Sequence, residues 1–304
     1  MTTTLKFYLS TLAAFMTVVM FASYKTTSAT DPMGASTYNR TIYVPYVDAT
    51  QEYWFAGERV PVENFDVRER LERELIVNTY YHTSTILNLK KMTRYFPVIE
   101  PILQEHGIPD DFKYLAVAES NLSNAVSPVG AKGFWQFMKG TAGDYGMEVN
   151  SEVDERYHLE KATRAACKYL KKHKEKLGSW ANTAAAYNMG PSGFKNEMVR
   201  QKFDSYFDLN LNSETSRYVF RIMAIREVLE NPAKFGFDIP AEEKYAPLND
   251  FAVVELNESI PNLGDFAKKY GTTYRMLKVY NPWLRSYKLT NSKKKTYEIK
   301  IPKQ

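Results

Sequence analysis

A mainly α chain, a long helical body followed by a small β-α-α-β module, is the fold class that this 304-residue sequence predicts. Three observations point to it. Between Tyr95 and Asn231, apolar and charged residues interleave as almost continuous helix with short breaks. Beyond Pro240 to Pro247 the texture changes: Phe251-Ala252-Val253-Val254-Glu255 and the alternating run from Lys295 to Ile301 read as strands around two short helices. Apolar residues make up 44% and charged residues 25%, an ordinary globular balance that permits a sizeable core.

The elements follow in chain order. Lys6 precedes an apolar run from Phe7 to Ala22, and Thr27-Ser28-Ala29 supplies a small-residue cleavage site. This is the layout of a secretory signal peptide over residues 1–29, which places the mature chain in the periplasm or cell envelope. At about 1.5 Å rise per residue the run is short for a spanning helix. Left uncleaved, it would associate the chain with a membrane. Residues 30–92 read as an N-terminal arm and helical lead-in. Thr30 to Asp66 is rich in Thr, Pro and Tyr without helical period, and reads as irregular. From Val67 to Met92 helical spacing begins, with Leu71, Leu75, Tyr80 and Leu87 near one face.

The helical body is expected over residues 93–235. Pro109-Asp110-Asp111 starts a helix that runs from Phe112 to Glu119, since acidic groups suit the positive end of the macrodipole. Ser127-Pro128, Gly130 and Gly133 mark a loop, with a further helix from about Phe134. Asp154 is placed to cap a long helix reaching Leu177, and Gly178 to end it. The lysines crowding its last turns read as a solvated face. Asn231-Pro232 closes the body, residues 236–247 form a linker, and residues 248–304 form the terminal module.

Several function classes drop out. A net charge of +5, from 40 basic and 35 acidic residues, is too mild to imply nucleic acid. Cys167 is the only cysteine, so no internal disulfide can form. His82, His106, His158 and His173 do not have metal-ligand spacing. There is no phosphate-binding glycine loop, and Gly190-Pro191-Ser192-Gly193 is not a nucleophile elbow. No metal and no cofactor are expected.

Glu119 is the residue to which the chemistry points. It ends a run of five apolar residues, Tyr114 to Ala118, which leaves its helix no polar face. A carboxyl group at the end of a buried helix is partly desolvated, and desolvation raises its pKa toward the range a general acid needs. The alternative is a helix-end carboxylate emerging into water.

Its neighbours bear on that choice. Glu119-Ser120 is followed by Ser127, then Gly133-Phe134-Trp135-Gln136-Phe137-Met138, then Ala186-Tyr187-Asn188-Met189-Gly190, then Glu214-Thr215-Ser216-Arg217-Tyr218-Val219. This ordered set resembles the lytic transglycosylases related to goose-type lysozyme, over roughly Tyr95 to Asn231. It is most similar to the membrane-bound lytic murein transglycosylase D group, in which a wall-binding module also follows. The resemblance implies a lysozyme-like helical catalytic domain with Glu119 as the acid/base catalyst. It implies that Ser127 lies beside the N-acetylmuramoyl ring. Gln136 and Met138 would line the groove, with Tyr187 and its neighbour Asn188 beside it. Glu214 and Tyr218 would supply a second acid and tyrosine near the site. Tyr187 would donate a hydrogen bond near the acid or substrate, and Gln136 and Asn188 would hold acetamido groups. The bland alternatives are core tyrosines for Tyr187 and Tyr218 and a turn-capping Gln136. One departure stands out: the family commonly has Gly-Leu-Met-Gln where this chain has Gly133-Phe134-Trp135-Gln136, with two bulkier residues.

The implied activity is a peptidoglycan lytic transglycosylase, with glycan strands as the binding partner. It would cut the N-acetylmuramoyl-β-1,4-N-acetylglucosamine bond and leave a 1,6-anhydro end. A hydrolase of the same fold and a non-catalytic wall-binding protein are the alternatives. The tail, with Leu263-Gly264-Asp265-Phe266 and Asn281-Pro282, is similar to a LysM domain, a binder of N-acetylglucosamine-rich glycans. Its usual opening is replaced here by Asn257-Glu258-Ser259-Ile260.

Overall fold

A computed structural model describes residues 43–303; the expected signal segment and the first part of the arm, residues 30–42, lie outside the described residues. The rest of the arm is irregular over residues 43–52 but not throughout. It forms a hairpin of β1 (Tyr53–Phe55) and β2 (Glu58–Val60), antiparallel, with Trp54 opposite Arg59. Ala56 and Gly57 both take positive φ, 51° and 78°, as a two-residue hairpin turn demands. Strands of three residues are too short to show an alternating pattern, so the hairpin was hidden. Phe55 and Val60 face the core. Glu58 reaches across to accept hydrogen bonds from the backbone nitrogens of Trp180 (2.7 Å) and Ala181 (3.1 Å). It thereby satisfies donors at the start of a later helix.

Helix α1 (Phe65–Tyr80) buries Val67, Leu71, Leu75 and Thr79 along one stripe. The stripe does not continue as expected. Tyr80 is exposed, the helix stops at Tyr81, and Leu87 lies exposed on α2 (His82–Glu105). Two prolines, Pro97 and Pro101, sit inside α2, both on its exposed side.

Helix α3 (Phe112–Ser120) begins where the Pro-Asp-Asp signal puts it, and Phe112 to Val117 are all buried. Asp110 pairs with Lys113, and Asp111 with Arg226, so the acidic start is also tied to neighbouring side chains. Asn121 and Leu122, both left-handed, end the helix. No helix begins at Phe134. The segment from Val126 to Phe137 is a folded loop with single bridges from Lys132 to Val126 and to Phe137, and α4 starts only at Lys139 (Lys139–Asp144).

Asp154 caps a short 3-10 turn, Glu155–Tyr157, rather than the long helix, α5, which runs Leu159–Leu177 from His158. The reason is Arg156. Its buried guanidinium takes both Asp154 oxygens (2.8 and 2.7 Å), and its remaining nitrogen donates to the carbonyls of Gly130 (3.1 Å) and Phe137 (3.2 Å). Asp154 and Arg156 together clamp the loop. Gly133 lies under this clamp at φ 80°; a Cβ there would sit 1.9 Å from the Arg156 carbonyl oxygen. Gly178 ends α5 in the left-handed region, as expected. Helices α6 (Trp180–Met189), α7 (Pro191–Gln201) and α8 (Thr215–Glu230) complete the body, and α8 packs against both α1 and α3.

The tail has the expected β-α-α-β order: β3 (Phe251–Leu256), α9 (Leu263–Lys269), α10 (Tyr274–Tyr280) and β4 (Tyr297–Pro302). The strands pair antiparallel from Phe251 opposite Pro302 to Leu256 opposite Tyr297. Its hydrophobic core takes in Val153 and Tyr157 from the helical body. The chain is thus mostly helical, with a small two-stranded sheet near its C-terminus. Among the described residues no helix is long and apolar enough to cross a membrane.

Candidate functional site

Glu119 occupies the last full turn of α3, half-buried, with its carboxyl directed to α8. Tyr218, fully buried on α8, donates its hydroxyl proton to Glu119 Oε1. Burial pushes the Glu119 carboxyl up to about 7. The Tyr218 hydrogen bond pulls in the opposite direction; the charge of Glu214 adds to the rise, and Arg221 opposes it. Tyr218 is itself held well above the ordinary phenol range by burial and by Glu119. Glu214 at the N-cap of α8 and Tyr218 and Arg221 within it are spaced four and three residues apart, which puts them on one side of the helix; Tyr218 bonds the carboxyl, and the other two act on it through their charge.

A buried carboxylate lies behind that face. Glu74 of α1, 1% exposed, contacts Arg73 and faces Arg217 (3.9 Å) and Arg221 (3.7 Å). Removing a carboxylate of this kind from water is costly unless it is paired, and here it holds the arginines of α8 on its own side.

The opposite set of residues comes from the loop and from α6. The Tyr187 hydroxyl donates to the Trp135 carbonyl oxygen at 2.6 Å, not to the acid; the hydrogen bond to Glu119 comes from Tyr218 instead. Burial raises the Tyr187 phenol, and the nearby Glu119 charge raises it further. The ring of Tyr187 is wedged edge-on between Phe137 and Tyr169. Gln136 sits at φ 47° and donates its side-chain amide to the carbonyls of Gly133 (2.7 Å) and Ala125 (3.2 Å). Its NH₂ group therefore serves the loop, leaving the amide oxygen as its remaining polar atom. Ser127 likewise closes a turn: its hydroxyl oxygen accepts from Ala131 N at 3.0 Å. Met138 is exposed just ahead of α4.

Asn188 joins this wall to α8. Its Oδ1 accepts from Thr215 Oγ1 (2.7 Å), and its Nδ2 donates to Glu214 Oε1 (3.4 Å). Asn212 accepts from the backbone nitrogens of Glu214 and Thr215, which fixes the start of the helix. The structure thus brings Glu119, Tyr218, Glu214, Asn188 and Tyr187 into one connected region, with Gln136 and Ser127 in the loop tied to it through Trp135.

Residues 97–209 match the model of the transglycosylase SLT domain. The helical body carries that domain. Residues 252–304 match the soluble lytic transglycosylase C-terminal LysM-like domain, which is the β-α-α-β tail. Similar curated proteins are the membrane-bound lytic murein transglycosylases D of Escherichia coli K12 and of Escherichia coli O6:H1. Each is 26% identical over 236 residues, which is 75% of this chain and 50% of the relative. The chain thus spans about half the length of the curated relatives it matches. Glu119, Ser127, Gln136, Met138, Tyr187 and Asn188 fall inside the SLT match, whereas Glu214 and Tyr218 lie beyond its end. The hydrogen bond from Tyr218 to Glu119 joins that outer helix to the SLT domain's carboxyl.

Sequence reading missed Glu74, Arg221 and the Asp154–Arg156 clamp. The helical spacing of Glu214, Tyr218 and Arg221 was a usable signal for Arg221. Nothing local marks Glu74 or Arg156, whose partners lie on other elements.

Proposed function

We propose that this chain is a peptidoglycan lytic transglycosylase that cuts the N-acetylmuramoyl-β-1,4-N-acetylglucosamine bond, with Glu119 as its acid and base. The observation that carries the reading is the Glu119 carboxyl at the end of its expected helix, bonded by the fully buried Tyr218 and pushed by burial up to about 7. A group so poised can give a proton and take one back.

Tyr218 holds Oε1 as an acceptor, so the acidic proton resides on Oε2. That proton passes to the bridging oxygen as the C1–O bond breaks. The sugar goes through an oxocarbenium-like state assisted by its own 2-acetamido group. The Glu119 carboxylate then takes the proton of the C6 hydroxyl while O6 bonds to C1, which closes the 1,6-anhydro ring and restores neutral Glu119. An intramolecular nucleophile has a large proximity advantage over water. The steps use only Glu119 and groups of the sugar. Ser127, Gln136, Met138, Tyr187 and Asn188 shape and line the groove for the strand, and Glu214 sustains the raised pKa.

The likeness to membrane-bound lytic murein transglycosylase D supports a place in the cell envelope and glycan strands as the partner. In this reading residues 1–29 export the chain or anchor it, 93–235 form the catalytic domain, and 248–304 follow the 236–247 linker as the LysM-like domain. Incubating the full chain with purified sacculi and weighing the released fragments tests the activity. Products carrying anhydro ends are expected. Fragments heavier by one water would assign a hydrolase, and intact sacculi with bound protein would assign a wall-binding protein.

A further inference from the structure

The LysM-like tail is fastened to the helical body along two lines. On one, Asp154 N donates to the Trp283 carbonyl (2.9 Å), Arg285 N to the Glu152 carbonyl (2.7 Å), and Thr290 N to Glu152 Oε2 (2.6 Å). Lys300 adds an ion pair with Glu160. On the other, the linker lies along α2: Tyr245 N donates to the Lys90 carbonyl (2.9 Å), and Arg94 Nε to the Ala246 carbonyl (2.8 Å). With Val153 and Tyr157 built into the tail's own core, the two parts form a fixed seam.

Between these two lines the seam is open. It encloses a cavity of about 410 Å³ bounded by α2, the start of α5, the linker, α10 and β4. Packed interfaces ordinarily close to crystal-like density, whereas preformed clefts of this size at domain junctions are where small ligands bind.

The lining narrows the ligand class. Among the charged groups, Glu160 lies between Lys300 and His158 Nδ1 (3.2 Å), and Arg94 donates from Nε to the Ala246 carbonyl with its guanidinium over the Tyr245 ring. Glu160 offsets Lys300, and Arg94 leaves one positive charge along the lining. What remains are the half-buried rings of Tyr95, Tyr280 and Phe251, and at the rim the exposed amides of Asn124 and Asn249. Flat rings suit the C–H faces of a sugar, and side-chain amides suit an acetamido group. Asn124 and Phe134 also belong to the loop that carries Ser127 and Gln136, so one segment borders both this cavity and the Glu119 region.

We infer that the seam cavity is a second saccharide site, which takes an N-acetylated amino sugar of the strand whose cleavage Glu119 performs. The inference rests on the proposed transglycosylase reading for its choice of strand, though not for the existence of the site. The tail then acts through the wall it shares with the body, holding a stretch of polymer at a fixed spacing from the reacting bond.

The test is calorimetric titration of the full-length Glu119→Gln protein with N-acetylglucosamine tetramer, in parallel with the emission of Trp283, which lines the cavity. Binding is expected at two sites. Tyr280→Ala should weaken one of them about tenfold and leave the other in place. Asn249→Trp, a rim substitution that fills the volume without removing a packed ring, should abolish the same site. The Trp283 emission change, assigned by a Trp283→Phe control, should vanish with it. A single site untouched by both variants, or an emission that does not respond to the tetramer, overturns the inference. Failure of wild-type protein to release anhydro products from sacculi would overturn the transglycosylase reading instead, and leaves the two-site count to be judged separately.

Discussion

The two walls around Glu119 are built differently. The α3–α8 wall is electrostatic: a desolvated carboxyl, a buried tyrosine bonded to it, and a carboxylate and an arginine that push its pKa in opposite directions. The loop–α6 wall is self-satisfied. Gln136 and Tyr187 donate to backbone carbonyls, Ser127 accepts from a backbone nitrogen, and the Asp154–Arg156 pair clamps the loop. The difference separates two jobs. In the proposed reading, one wall sets the protonation state of Glu119, and the other offers a shape against which a strand would lie.

Breaking the electrostatic wall should have the largest effect. Glu119→Gln keeps the volume and removes the proton, and should lower cleavage by about 10³-fold or more, read as anhydro-product release. In the wild type, activity should fall as pH rises through about 7, because the acid must be protonated at the first step. Stability follows the same sign. The folded carboxyl holds a proton up to about 7 and the unfolded one only to 4.5, so stability present below 4.5 is lost as pH climbs through 7. Glu119→Gln escapes that loss. Its unfolding free energy should exceed that of wild type at pH 8 but not at pH 4, by about 1–3 kcal/mol.

The shape wall should fail through stability. Gly133→Ala drives a Cβ into the Arg156 carbonyl at a left-handed position, and should cost about 2–4 kcal/mol of unfolding free energy in denaturant titration. Activity should decline with it while the pH of the falling limb stays where it is.

The two tyrosines sharpen the contrast. Tyr218→Phe removes the hydrogen bond that holds the Glu119 carboxyl down. The limb should move to higher pH, with kcat reduced about tenfold. Tyr187→Phe removes a bond to the Trp135 carbonyl only, and should lower kcat without moving the limb. An identical pH shift in both variants would collapse the distinction between the walls.

The smallest effect is expected behind α8. Glu74→Gln leaves the charges of Arg217 and Arg221 less neutralised, so Arg221 should draw the Glu119 pKa down and shift the limb by a few tenths of a pH unit to lower pH. A lysine at position 221 should retain most of the wild-type profile.

Much of this could be read along the chain, because it depends on residues close together in it. The helix from Phe112 to Glu119 follows from a Pro-Asp-Asp start and an unbroken apolar run. The β-α-α-β tail follows from period-two stretches flanking two helices. Other parts could not be read so. The Ala56-Gly57 hairpin is too short to carry a pattern. Phe134 looks helical but is held in a loop by an arginine twenty-two positions on. Asp154 looks like a helix cap, yet it serves that same arginine.

Linear order was enough to nominate Glu119 and to separate a helical body from a small mixed tail, since burial periodicity and turn chemistry are local properties. Which tyrosine touches the acid, which residues hold the loop, and where the tail docks emerged only on packing. Those are set by contacts between distant segments, whose desolvation and pairing energies do not exist until the chain is folded.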